Sequence, residues 1–274
     1  MGACATAEGA SRIGALAEEL GYDSLWMGEH VCAPSPRVPP SPIEPDYPIL
    51  DPLVGLGFMA AVTERVRLAT GIVILPQRNP VVLAKQLASL DVLSGGRLVF
   101  GMGVGYVEPE MSAVGVPMEG RGARADEYLQ AMRSLWEDEN PAFHGEYVGF
   151  DGVDAYPRPA QKKIPVIVGG HTAAAHRRAV QHADGWYGFA LDRSQTAEQV
   201  ESLRRAAQAA DRNPAELTIT VSPSERLDPV VVGDYSDLGV DRLVLVTRQD
   251  LTLDQLESRV RKNAPEQVGA DPAS

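Results

Sequence analysis

Two adjacent side chains, Glu29 and His30, end DSLWMGEH, a run of strand length. A carboxylate beside an imidazole can hold or pass a proton, and the end of a barrel strand is where such groups meet a ligand. A purely structural histidine is the competing reading. A second feature is RLVFGMGVGY, residues 97–106, an apolar run that closes in Gly101, Gly103 and Gly105 before Tyr106. Glycines there remove side chains at the end of a strand. They either let a flat ligand lie against main chain or make a tight turn. A Rossmann loop does not fit: GMGVG is not GxGxxG, and Pro109 and Pro117 interrupt the residues after Tyr106, so that the next helical pattern begins near Arg124. The third feature is Gly169-Gly170-His171-Thr172, which joins a strand to a helix start. Free N–H groups at that place suit a phosphate, although a plain turn would read the same. Gly71, in the β-branched setting LATGIVILPQ, suggests a bulge.

The elements that must position these residues alternate along the whole chain. Ile13, Leu16, Ala17 and Leu20 recur at helical spacing before Gly21. Asp51-Pro52 and Asn79-Pro80 are cap-and-proline helix starts, the second helix stopping at Gly95-Gly96. Tyr128, Leu129, Met132, Leu135 and Trp136 form one apolar face, and Thr172 caps AAAHRRAVQHA. Thr196 with Gln199, and Thr252 with Gln255, have capping-box spacing. Between the helices lie DSLWMGE, VRLATGIVIL, RLVFGMG, IPVIVGG, DGWYGFA, LTITVS and DRLVLVT. Most are continuously apolar, as parallel strands buried on both faces are. Seven such strands alternating with helices, with no break in composition, predict a single α/β domain over residues 1–274, a (β/α)8 TIM barrel lacking its first strand. A start placed too late would explain the missing strand, and so would a truly incomplete barrel with edges near residues 25 and 244. The proline-rich loop 33–50 follows a strand and is a candidate lid. The segment 138–165 reads as an insertion with a small hairpin that could fold across the top.

Composition narrows the partners. A formal net charge of -12 without any basic run argues against nucleic acid. No apolar run has the length of a membrane span. Cys4 and Cys32 form neither a CxxC nor a disulfide framework, so a reduced compartment such as the cytoplasm fits. The five histidines show no HExxH or HxH spacing, which leaves no expected metal site. No GxSxG elbow marks a hydrolase.

Four segments, LAEELGYDSLWMGEH, the stretch from DPLVGLGFMAAVTERVRLATGIVILPQ to VFGMGVGY, RADEYLQAMRSLW, and IPVIVGGHTAAAHRRAVQHADGWYGFA, together resemble the luciferase-like flavin and deazaflavin oxidoreductases. The pattern is most similar to the coenzyme F420-dependent branch. The resemblance implies a ring system at the carboxyl-terminal mouth of the barrel and a non-proline cis peptide at Gly71-Ile72 behind it. It implies that Glu29 and His30 stand beside the ring, Gly103 and Gly105 along its edge, and Gly169, Gly170 and His171 near the cofactor phosphate. It also implies a homodimer. Two departures stand out. The first strand is absent, and Tyr106 occupies the place of a catalytic glutamate in some deazaflavin members, so an acid there would have to be Tyr106 or Glu108. Arg78 and Lys85 could reach a cofactor tail or simply face solvent.

The resemblance sets three functions against one another. The first is hydride transfer between coenzyme F420 and a small organic substrate, with His30 donating a proton or stabilising charge and Tyr106 orienting substrate. The second is FMN-dependent monooxygenation. The third is a degenerate barrel that binds flavin without catalysis, or binds nothing.

Overall fold

The computed structural model describes residues 2–247 and 250–272. A 3-10 turn at Gly2–Cys4 precedes α1 (Ala7–Glu19), where the Thr6 side chain accepts from Gly9 N. β1 (Ser24–Met27) and α2 (Pro52–Ala60) come next. The Asp51 carboxylate caps α2 by accepting from Leu53 N and Val54 N. Proline in the first turn loses nothing there, because its missing N–H would have had no helical partner. The next predicted strand is split into β2 (Arg67–Thr70) and β3 (Val73–Ile74), on either side of a cis Gly71–Ile72 peptide. Then come α3 (Pro80–Leu93), capped by Asn79, and β4 (Leu98–Gly103). α4 (Glu108–Ala113) and α5 (Arg121–Glu137) lead to a hairpin of β5 (Phe143–His144) and β6 (Gly149–Phe150). The remaining order is β7 (Val166–Gly169), α6 (Ala173–His182), β8 (Gly185–Leu191), α7 (Arg193–Ala209) and β9 (Thr218–Pro223). α8 (Pro229–Asp237), β10 (Arg242–Leu243), α9 (Leu253–Lys262) and α10 (Pro265–Val268) complete it.

The main sheet is parallel and curled, in the order β1-β2-β4-β7-β8-β9-β10, with β3 continuing β2 along β4. Alternate residues explain the continuous apolar runs. Ala69, Val99, Ile167 and Tyr187 form an inner cluster with Trp26, Ile72 and Val244. Their neighbours Leu68, Leu98, Phe100, Val166, Val168 and Trp186 belong to the larger core shared with the helices. Both faces are therefore dry.

The barrel wall is one stave short. Among the described residues no strand precedes β1, and β1 and β10 are not hydrogen-bonded to each other. Helices and side chains hold these two edges together. Arg242 Nε donates to Asp23 Oδ2 at 2.7 Å, and its guanidinium lies 5.9 Å from the centre of the Trp26 ring. Cys4, Ile13 and Leu256 form a small core where α9 meets α1, and Tyr22 OH donates to the Val260 carbonyl at 2.8 Å.

Two local expectations need correction. The cap of α7 is Asp192 with Gln195, not Thr196 with Gln199. Both pairs have the right spacing, but Asp192 comes directly after β8 and its carboxylate takes Gln195 N, whereas Thr196 is fully buried inside the helix. α4 is a helix that the sequence pattern does not predict, because Pro109 reads as an interruption, yet that proline lies in the helix's first turn, where it is tolerated. The segment 138–165 contains the expected hairpin, β5 paired with β6. The Glu127 carboxylate on α5 takes Glu146 N, Tyr147 N and Val148 N at 2.6 to 2.8 Å. Gln161 then bonds to Asp91 and to the carbonyl of Leu98, the first residue of β4, at the opposite end of the barrel. Loop 33–50 is braced from within: Arg37 bonds to the Ser41 carbonyl and to Glu44, and Ser41 and Ile43 are buried.

Candidate active site

The strand ends bring Glu29-His30, the Gly71–Ile72 bulge, Gly103 to Tyr106 and Gly169 to His171 to one mouth. Glu29 is buried, and its hydrogen bonds engage both oxygens. Oε2 accepts from Ile74 N at 2.6 Å, and Oε1 accepts from Arg78 Nε at 2.9 Å and from Arg78 Nη2. Arg78 Nη2 also reaches Asp51 Oδ2 at 2.6 Å. Burial pushes the Glu29 carboxyl up, against the pull of Arg78 and the Ile74 N–H. The reading of Arg78 as tail-binding or solvent-facing is thus corrected: its side chain is only 15% exposed and braces β1 against β3 and the cap of α2. No local pattern links two residues 49 apart.

His30 is differently placed. Its Nδ1 lies 2.9 Å from Glu110 Oε2, while Glu110 Oε1 accepts from Val31 N at 2.6 Å. The His30 ring stands edge-on to Tyr106, centres 6.3 Å apart. Tyr106 is half exposed, and burial, followed by the charge of Glu110, pushes its hydroxyl pKa up. Glu110 escapes sequence reading because α4 does. The signal is present in Glu108-Pro109-Glu110, a proline between acids in what proves to be the first turn of a helix.

The glycines are occupied in a way the sequence does not suggest. A Cβ on Gly103 would stand 2.1 Å from Ile72 Cδ1, and one on Gly169 would stand 3.1 Å from the same atom. Instead of leaving bare main chain, these glycines make room for the half-buried Ile72 side chain. Gly105 is required twice. Its φ of 77° is left-handed, and a Cβ would lie 2.8 Å from Ile74 and 2.9 Å from the sulfur of Met111, which anchors α4 beneath it.

Across the mouth, Gly170 (φ 125°) turns the chain into α6. Trp186 Nε1 donates to the Gly170 carbonyl at 2.7 Å. Thr172 Oγ1 accepts from Ala175 N, and no hydrogen bond to the N–H of Ala173 or Ala174 is present among the described residues. His171 Nε2 accepts from Phe189 N at 3.1 Å, which puts its proton on Nδ1. Its partial burial pushes its pKa down, so the ring is neutral at pH 7. No cluster of three or more His, Cys, Asp or Glu that could hold a metal occurs among the described residues.

Known proteins resemble this chain in sequence and in fold. The sequence profile of the luciferase-like monooxygenases matches residues 3–226. An uncharacterized protein of Mycobacterium tuberculosis is 35% identical over 260 residues, covering 91% of this chain and 90% of its own. The F420-dependent glucose-6-phosphate dehydrogenase of Kineococcus radiotolerans is 33% identical over 174 residues, 62% of this chain and 49% of that one. The FMNH2-dependent dimethylsulfone monooxygenase of Pseudomonas putida is 30% identical over 132 residues, 47% of this chain and 36% of that one. In fold, the crystal structure of monooxygenase RslO1 from Streptomyces bottropensis superposes with a TM-score of 0.75 at 24% identity, covering 96% of this chain and 92% of that one. Deazaflavin and flavin enzymes thus both occur among its relatives. A match across most of the chain, on a curled parallel wall with its bulge at Gly71–Ile72, makes this protein a member of the luciferase-like monooxygenase family.

Proposed function

We propose that the protein transfers hydride between coenzyme F420 and a small organic substrate. Ile72, seated on Gly103 and Gly169, would hold the cofactor with Gly105, Gly170 and His171, and His30 and Tyr106 would act on the substrate. The observation that carries this reading is the His30–Glu110 bond of 2.9 Å at the mouth of a luciferase-like barrel. The residues present fit such a group. Ile72, seated against Gly103 and Gly169, offers an apolar floor for a planar ring, and the unbonded N–H groups of Ala173 and Ala174 offer donors to a phosphate. When bound, a deazaflavin supplies two-electron hydride chemistry at carbon and reacts poorly with oxygen.

The protein's own part is to place and to move a proton. His30 Nε2 has no hydrogen-bond partner among the described residues, so it can exchange a proton with a substrate oxygen. Tyr106 keeps its proton at neutral pH and serves as a donor that orients substrate. Glu29 braces the bulge and stays off the proton path, since its partners already engage both oxygens. Visible absorbance of ligand retained after titration with F420 and with FMN tests the assignment. Retention of F420 with substrate-dependent bleaching is expected. Oxygen uptake with reduced FMN and an oxygenated product would favour the monooxygenase reading, and binding of neither ring would leave a non-catalytic barrel.

A homodimer is supported by α2 and α3, which expose Val54 (69%), Phe58 (41%), Val82 (55%) and Leu93 (77%) on their outer faces. Sedimentation should show a dimer that V54E/F58E dissociates. Two free thiols, Cys4 and Cys32, support a reduced compartment such as the cytoplasm.

A further inference from the structure

We propose that Glu110 is the positioning residue for His30: it holds the imidazole with its proton on Nδ1 and so reserves Nε2 for the mouth. The Glu110 side chain is fully buried, and its oxygens have separate partners. Oε1 accepts from Val31 N at 2.6 Å, and Oε2 meets His30 Nδ1 at 2.9 Å. A carboxylate whose Oε1 already accepts the Val31 N–H offers Oε2 as an acceptor, so the nitrogen facing it is the donor.

The fold explains how Glu110 reaches this place. Gly105 turns the chain sharply at the end of β4, Pro109 starts α4, and the buried Met111 pins that helix under Gly105. The residue before Met111 then falls over the exit of β1. Its carboxylate bridges His30 and Val31, the residues from which loop 33–50 departs. One buried group therefore sets the hydrogen-bonding state of the mouth histidine and anchors the root of the loop beside it. A carboxylate acting as a strut alone would need only the Val31 N–H.

The inference rests on the reading of His30 as the group that handles the proton, but its test does not need the cofactor. In 15N-labelled protein without ligand, the His30 nitrogens are identified by the signals lost in H30Q. In its neutral form the ring should carry its proton on Nδ1, leaving Nε2 bare. Glu110→Gln retains the shape of the side chain. Its amide oxygen still accepts from Val31 N, so its nitrogen can only donate toward His30 Nδ1, and the tautomer should reverse to Nε2–H. With F420 and substrate, the same variant should lose about tenfold or more in kcat with KM little changed, and Glu110→Asp should recover part of it. Wild-type His30 carrying its proton on Nε2 alone would overturn the proposal, as would an E110Q protein whose tautomer is unchanged. If E110Q does not fold, the wild-type tautomer decides. Failure to bind F420 would instead sink the deazaflavin reading and leave the tautomer result standing.

Discussion

His30 and His171 stand on opposite sides of one mouth and are held by opposite means. His30 leans on a buried carboxylate through Nδ1 and keeps Nε2 open. His171 accepts a main-chain N–H on Nε2, and its partial burial holds it neutral. An N–H donor on Nε2 and a dry surrounding disfavour an imidazolium at His171. Under the proposed function the first histidine exchanges a proton through its open Nε2, and the second donates to the cofactor from Nδ1. Residue type at a strand end does not set a role. The partner on the other nitrogen does.

The largest expected effect breaks the contrast at His30. H30Q should lower kcat by about 100-fold or more while the dissociation constant for F420 changes little, measured by steady-state kinetics and absorbance titration. An equal loss in H171Q would erase the difference between the two sides. Next in size is the brace beneath His30. Arg78→Ala leaves Glu29 buried without its cation and should cost about 3 kcal/mol in urea unfolding. Thr172→Ala, on the other side, removes a helix cap and should cost only about 1 kcal/mol. A milder change sharpens the comparison: H171Q should weaken F420 binding about tenfold with kcat nearly intact, as loss of one ligand hydrogen bond would.

The smallest effect is in pH. Burial lowers the folded-state pKa of His176, His182 and His171 below the ordinary value near 6.5. A group depressed on folding adds stability above its unfolded pKa and loses it as pH falls through the folded one. The melting temperature should thus fall on acidification below about pH 6.5. His176, fully buried against Ser202, should carry most of this, so H176N should flatten the profile more than H171Q does. A steeper effect from H171Q would contradict the degree of exposure assigned to it.

Legibility in the sequence divides along the same lines. The seven staves can be read because a strand buried on both faces must be apolar throughout, as in RLVFGMG and IPVIVGG. Asp51-Pro52, Asn79-Pro80 and Thr252 with Gln255 give away helix starts because a cap acts on N–H groups two or three residues away. The positions of Glu29, His30, Tyr106 and His171 at strand ends come from that count. Their roles do not. Nothing near residue 30 names residue 110 as its partner, and nothing near residue 29 names residue 78. The glycines at 103 and 169 are legible as places without side chains, but not as seats for Ile72.

By itself the sequence determined what depends on neighbours along the chain: the period of burial, the caps of α2, α3 and α9, the alternation of strands and helices apart from α4, and the residues that end each stave. Tertiary structure alone decided which nitrogen of each histidine is bonded, that Arg78 neutralises Glu29, and that α1, α9 and the Arg242–Asp23 pair bridge the unpaired edges. The physical reason is range. Periodicity and capping act over a few residues, whereas hydrogen-bond and ion partners are chosen by whatever the curled wall brings within about 3 Å, however far apart in sequence.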